Sequence, residues 1–287
     1  MIEKFLKYLE YEKRYSKHTV ISYHSDLDQF SHFISLHYPD QSLVDVDYRI
    51  LRSWILSLVD DKIKNTSINR KIASLRSFYK FLLKREQISE NPTWKLRVLK
   101  KSKKLPQFVN EDDMIILLDQ TIYSDGFTGL RDKLIMEMLY GTGIRLAELM
   151  SLQEKDINFH NQTIKVVGKR NKERIIPFSN NLENAIRKYQ KEKPSKSNYL
   201  LTTDTGEQLY PMFVYRVVKK YLSLVNVDKR SPHVLRHTYA THLLNKGAEL
   251  NAVKDLLGHT SLAATQVYTH NSIEKLKSVY KKAHPKA

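Results

Sequence analysis

Lys100, Lys101, Lys103 and Lys104, closed by Pro106, interrupt the apolar periodicity about a third of the way along the chain. A basic stretch with no apolar phase contributes nothing to a core, and proline discourages a helix from running through it. The segment therefore reads as a linker between two separately folded parts. With 287 residues and 41% hydrophobic content the chain can give each part its own core. The expected division is a first domain over 1–99, a linker over 100–108 and a second domain over 109–287.

Before the linker every apolar repeat has the helical period. Ile2, Phe5, Leu6 and Leu9 open the chain, and Ser16 is placed to cap a second helix carrying Tyr23, Leu27, Phe30 and Phe33. Asp47 is placed to cap a third, with Ile50, Leu51, Trp54, Ile55 and Leu58 inward. A fourth is expected over 66–85 on Ile68, Ile72, Leu75, Tyr79 and Leu82. At about 100° per residue Arg70, Ser77, Lys80 and Lys84 fall on its other side. That basic face is either a solvated surface or a contact for an anion.

The second part mixes periods. Asn110 precedes three acidic residues, a helix start. Leu134, Ile135, Met138 and Leu139 mark a helix from about residue 131, which Gly141 and Gly143 should break so that Arg145 begins another. Residues 156–159, 163–167 and 174–177 read as three short strands, turning at His160-Asn161 and over 168–172. Helices are expected at 181–191 and 211–224, with a short segment at 199–203 between them. Ser231-Pro232 should start a further helix by capping, Gly247 and Gly258 should stop helices, and Ser261 should cap the next. An amphipathic helix over 273–282 ends the chain, and Ile273, Leu276, Val279 and Tyr280 make a stripe suited to joining subunits. The fold class expected is mainly α, with a small antiparallel sheet in the C-terminal part.

The formal net charge of +17 calls for a polyanionic partner. Residues 1–100 carry 18 Lys and Arg against 12 Asp and Glu, and 109–287 carry 27 against 19, so both parts are basic. Two domains sharing one polyanion account for this better than a basic tail does. Charge alone leaves nucleic acid, an anionic membrane surface and ribosomal RNA open. With no cysteine, disulfides, thiolate zinc sites and thiol nucleophiles are excluded. The N-terminus lacks a signal-peptide core and no apolar run reaches a membrane span, so a soluble, cytoplasmic protein is expected.

Residues 231–270 concentrate the chemistry. His233 and Arg236 stand three apart, Gly258 precedes His259, and Tyr268 follows. These are charge-assisted donors able to hold a phosphate diester, beside a phenol able to attack it. Each has a structural alternative: a surface pair for His233 and Arg236, and ring packing for Tyr268, one of 17 tyrosines. Upstream, Arg145 stands three residues before Glu148, an ordinary helical ion-pair spacing. Lys169 follows Gly168 on a turn, where a lysine is normally just solvated.

Taken together as Arg145, Lys169, His233, Arg236, His259 and Tyr268, the ordered series resembles the tyrosine recombinase (phage integrase) family, closest to its Xer branch. The likeness covers nearly the whole chain, although Arg170 stands where the family pattern often has glycine. It implies a two-domain DNA clamp, with a helical, SAM-like core-binding domain contacting DNA through residues such as Arg70, Lys80 and Lys84. It implies that Tyr268 is the nucleophile of a 3′-phosphotyrosine link, with Arg145 and Arg236 on the phosphate and Glu148 orienting Arg145. His233 would be the base, His259 would support the phosphate and Lys169 would be the acid. No cofactor or metal is implied. The implied partners are double-stranded DNA with a specific recombination site, and this protein itself or a paired recombinase, four subunits acting through a Holliday junction. A DNA translocase fits beside them. The implied role is chromosome-dimer resolution at cell division. A phage or mobile-element integrase with the same chemistry and a non-catalytic DNA-binding module are the alternatives.

Overall fold

In the computed structural model, residues 1–100, 107–168, 173–194, 197–258 and 270–286 are described, without the side chains of 270–273 and 275. The chain divides into two compact units, Met1–Lys104 and Leu105–Ala287.

The first unit is helical. Helix α1 (Ile2–Lys7) widens over Tyr8–Glu12, and α2 (Lys17–His37), α3 (Tyr48–Asp60) and α4 (Asn65–Lys84) follow. Ser16 and Asp47 cap as expected, accepting from the backbone N–H of Thr19 and Ile50, each cap contributing about 1 kcal/mol. The core joins Phe5 of α1 and Leu9 of the widened segment to Leu27, Phe30, Leu51, Trp54, Ile68, Ile72 and Phe78. Among the described residues its charged inclusion lies between α2 and α4. The buried Asp26 accepts from Lys71 (3.0 Å), Ser74 (2.7 Å) and Arg70, while Lys71 also donates to Gln29 (2.6 Å).

The second unit starts with α5 (Glu111–Ile115), capped by Asn110. Helix α6 (Gly126–Thr142) is buried on nearly every side, as a central helix must be. It begins five residues before the apolar repeat suggested, where Phe127 and Leu130 pack against the core, and Arg131 and Asp132 are buried as well. Arg131 is held between the Phe127 and Phe213 rings (5.2 and 4.5 Å) and bonded to Asp204 (3.0 Å). Gly141 lies inside α6 and does not break it; Gly143 does, at φ +59°.

After α7 (Leu146–Ser151), β1 (Ile157–Asn158), β2 (Thr163–Val167) and β3 (Glu173–Pro177) form an antiparallel sheet in that order. Val167 pairs with Glu173 at its turn end. The first strand is shorter than expected because Glu154–Asp156 is a 3-10 turn. Then come α8 (Asn180–Glu192), α9 (Pro211–Leu222), α10 (Pro232–Asn245), α11 (Leu250–Leu257) and α12 (His270–Ala283). Residues 199–203 form no strand and contribute isolated bridges, Gln153 to Tyr199 and Thr202 to Gln208. Pro232 starts α10, but the Ser231 side chain makes no capping bond.

Helix α12 was expected to reach a neighbouring subunit. In the single chain it docks on its own unit, where Leu276, Tyr280 and Ala283 join Tyr239, Leu243 and Leu256. Aromatic stacking explains the seat: the His284 ring lies parallel to Tyr280 at 4.9 Å and against Tyr140 at 5.0 Å.

Candidate active site

Two left-handed glycines end the helices that frame the site. Gly143 closes α6, and a Cβ there would lie 2.6 Å from the Tyr239 ring, so the chain turns where no larger residue fits. The turn delivers Arg145 to the N-cap of α7. Its backbone N–H donates to Glu148 Oε2 and its Nη1 to Oε1, both at 2.8 Å. The spacing of three therefore makes a capping interaction and an ion pair at once.

Glu148 is shared. Arg174, on β3, binds it through both terminal nitrogens, Nη1 to Oε1 at 2.6 Å and Nη2 to Oε2 at 2.7 Å. Burial alone would raise this carboxyl, but the hydrogen bonds and charges of Arg174 and Arg145 outweigh it and hold Glu148 at about 2.

The second glycine, Gly258, closes α11 at φ +62°. The final carbonyls of a helix lack intrahelical partners and carry the negative end of its dipole. Here three successive carbonyls each accept from a different arginine. Leu256 O takes Arg174 Nε (3.1 Å), Leu257 O takes Arg236 Nη2, and Gly258 O takes Arg145 Nη2 (2.9 Å). Arg236 also donates to Gly143 O, so it ties the two glycine turns together. Burial, and then the guanidinium groups of Arg145 and Arg174, push Arg236 down to about 9. Three guanidinium groups thus meet one carboxylate, and the surplus charge suits an anion.

His233 and Arg236 do not form a surface pair. His233, the second residue of α10, is exposed, whereas Arg236 is 8% exposed and engaged by carbonyls. Arg145 is the accessible member of the arginine group, its side chain 34% exposed. Lys169, His259 and Tyr268 lie outside the described residues. In sequence, Lys169 belongs to the segment between β2 and β3, His259 follows Gly258, and Tyr268 precedes α12. On α4, Lys80 and Lys84 are exposed, with the Lys84 ammonium 5.9 Å from the Tyr8 ring. Arg70 is exposed but tied to Asp26 and to Ser22 O (3.1 Å).

Arg174 is the functional candidate that the motifs leave out. A period-two signal for it is present all the same. It stands in phase with Ile176 on the buried side of β3, and a charge there requires a buried partner.

Residues 107–275 match the phage integrase family and residues 2–86 match its N-terminal SAM-like domain. Tyrosine recombinase XerC of Staphylococcus carnosus (strain TM300) is 41% identical over 290 residues, which cover 99% of this chain and 97% of that protein. Tyrosine recombinase XerC of Chlorobaculum tepidum is 36% identical over 315 residues, 99% of this chain and 94% of that protein. The XerH site-specific recombinase bound to palindromic difH substrate, a post-cleavage complex, has the same fold at a TM-score of 0.75. Its identity is 23%, over 96% of this chain and 82% of that one. A lambda integrase dimer bound to a COC′ core site superposes with a TM-score of 0.72 at 19% identity, over 91% of this chain and 94% of that one. Matched in both units and closely related to recombinases along almost its full length, the chain belongs to the phage integrase family and is a site-specific tyrosine recombinase.

Proposed function

We propose that the protein cuts and rejoins double-stranded DNA at a specific recombination site, with Arg145 and Arg236 neutralising the scissile phosphate. The observation that carries this reading is the meeting of the two arginines at Gly258, the residue before His259, where positive charge exceeds negative. Guanidinium groups stay charged and bind non-bridging oxygens through paired donors, so the charge that develops on phosphorus in the transition state meets donors already in place.

Tyr268 attacks phosphorus through its phenol oxygen. His233 takes the phenol proton, Lys169 gives a proton to the departing O5′, and His259 supports the phosphate. The products are a 3′-phosphotyrosine and a free 5′-hydroxyl. The link keeps the phosphodiester's energy, so a 5′-hydroxyl from a second strand can reverse the step. Four subunits, of this protein alone or with a paired recombinase, exchange strands in pairs through a Holliday junction. The first domain contacts the DNA, with Lys80 and Lys84, exposed on α4, as cations for its backbone. Likeness to XerC proteins supports chromosome-dimer resolution in the cytoplasm as the role, with a DNA translocase as a further partner.

The test is Tyr268→Phe on a nicked duplex bearing the site. The variant should bind as the parent does and give no covalent protein–DNA adduct on a denaturing gel. An adduct from that variant would remove Tyr268 as the nucleophile.

A further inference from the structure

We propose that Arg174 is a positioning residue for DNA cleavage: by saturating Glu148 from inside β3 it keeps Arg145 from closing onto that carboxylate and leaves it free for the phosphate. This deepens the reading of Arg145 given above and depends on it.

Competition for one carboxylate is the basis. Glu148 lies one helical turn from Arg145, close enough for a two-pronged fork that would take up both terminal nitrogens of Arg145. Arg174 already occupies both oxygens in that way, at 2.6 and 2.7 Å. Arg145 is left a single side-chain bond to Oε1, and its second terminal nitrogen turns instead to Gly258 O. Among the described residues two of its five side-chain N–H groups are then engaged, and the others are available to a ligand.

Arg174 also reaches the other parts of the site. Its Nε holds Leu256 O, in the same turn whose next two carbonyls hold Arg236 and Arg145. Its Cδ lies against the left-handed turn, since a Cβ on Gly258 would come within 2.9 Å of it. It stands in the strand that follows the Lys169 segment in sequence. One buried side chain thus contacts α7, the end of α11 and, through its own backbone, the sheet. Lysine cannot replace it, because an ammonium offers no planar fork to saturate both oxygens.

The experiment compares strand cleavage by the full chain on two nicked duplexes, one with an ordinary scissile phosphate and one with a neutral methylphosphonate there. The neutral linkage has lost the charge that Arg145 offsets. The ratio of the two rates is internal to each protein preparation, so any loss of folded protein cancels. Arg174→Lys should cleave the phosphate about 10²-fold more slowly, the scale expected of a misplaced catalytic group, and should lose much less on the methylphosphonate, so that the ratio falls. A ratio equal to the parent's, whatever the absolute rates, overturns the proposal. Arg145→Ala tests the reading beneath it: if that variant also keeps the parent ratio, Arg145 does not act on the phosphate charge. A lowered ratio for Arg145→Ala with an unchanged one for Arg174→Lys rejects the proposal alone. Should Arg174→Lys leave too little folded protein to cleave, Glu148→Asp withdraws the same carboxylate by one methylene. It should lower the ratio in the same direction, and an unchanged ratio overturns the proposal.

Discussion

Asp26 in the first unit and Glu148 in the second are both buried carboxylates, 1% and 4% exposed, satisfied by cationic donors. Their surroundings separate a structural charge cluster from a functional one. Asp26 joins the middles of two helices, and its cations find their remaining partners nearby, Lys71 on Gln29 and Arg70 on Ser22 O. Glu148 joins a helix start, a strand and a helix end. The donors its arginines have left go to the carbonyls that end α11, Arg174 to Leu256 O and Arg145 to Gly258 O. Helix middles are rigid and closed to ligands, whereas helix ends carry unpaired backbone groups and open outward. Burial of charge is common to both clusters, and each includes one exposed arginine, Arg70 and Arg145; what sets the second apart is that its arginines are gathered by the carbonyls that end a helix.

The comparison breaks most readily by neutralising each carboxylate in turn. Asp26→Asn and Glu148→Gln should each destabilise their own unit by about 3–5 kcal/mol, since each leaves a buried cation without its countercharge. Both tryptophans, Trp54 and Trp94, lie in the first unit. Tryptophan fluorescence in urea therefore follows that unit, while far-UV circular dichroism follows the whole chain. Per folded molecule, Asp26→Asn should cleave DNA at the parent rate and Glu148→Gln about 10²-fold more slowly. Equal losses of rate would mean that the first cluster is no less functional than the second.

How much of this was legible beforehand differs in the same way. The helical stripes of the first unit, the Ser16 and Asp47 caps, the three-strand sheet and the stops at Gly247 and Gly258 follow from local period and backbone chemistry. So does the adjacency of Arg145 and Glu148, a contact three residues long. Contacts across long stretches of chain left no such trace. Nothing in the neighbourhood of Lys71 or Asp26 shows that they pair, and both look like solvated charges on amphipathic helices. The three-residue spacing of His233 and Arg236 suggested a shared face, yet tertiary packing buries one and exposes the other. Arg174 was readable only as a charge in phase with Ile176, and its partners, Glu148 and Leu256 O, are set by topology. The docking of α12 depends on rings 40 to 140 residues away, Tyr239 and Tyr140; its apolar stripe fits a partner subunit equally well.

Acid should sharpen the contrast between the units. Burial lowers both His242 and His284, the latter to about 3. His242 takes the hydroxyl of Tyr140 at Nδ1 (3.0 Å), so its Nε2 carries the proton donated to Val109 O (2.9 Å). A neutral buried histidine binds its second proton more readily once unfolded, so its contribution is complete above pH 6.5 and is lost as pH falls toward the folded value. Glu148 adds a loss beginning below 4.5 and continuing toward about 2. In the first unit the shifted groups are Tyr23 and Tyr79, both raised by burial and titrating on the alkaline side. In the second unit burial also raises the Asp132 and Glu137 carboxyls, whose protonation as pH falls offsets part of the loss there. Between pH 6.5 and 4.5 the weakening should therefore show where the histidines pack, as faster hydrogen exchange in α10 and α12 while Trp54 fluorescence holds. His284→Phe keeps the ring stack and removes one titration, and it should move the onset in α12 to lower pH. Simultaneous loss in both units would place the sensitive groups elsewhere.

The smallest effect separates two glycine stops of the second unit. Gly247 and Gly258 both have positive φ, +84° and +62°, so alanine at either should cost about 1–2 kcal/mol for the left-handed backbone alone. A Cβ on Gly247 meets nothing within 4 Å, whereas on Gly258 it meets Arg174 Cδ at 2.9 Å and Nε at 3.4 Å. Gly258→Ala must therefore also displace the arginine that saturates Glu148, adding about 1 kcal/mol for the disturbed contact. It should slow cleavage of the phosphate duplex as well, while Gly247→Ala changes stability alone. Urea midpoints give the first difference and single-turnover cleavage the second. If the two alanines cost the same and cleave alike, the Arg174 stem yields without consequence, and the helix stop at residue 258 is a backbone requirement with no hold on the site.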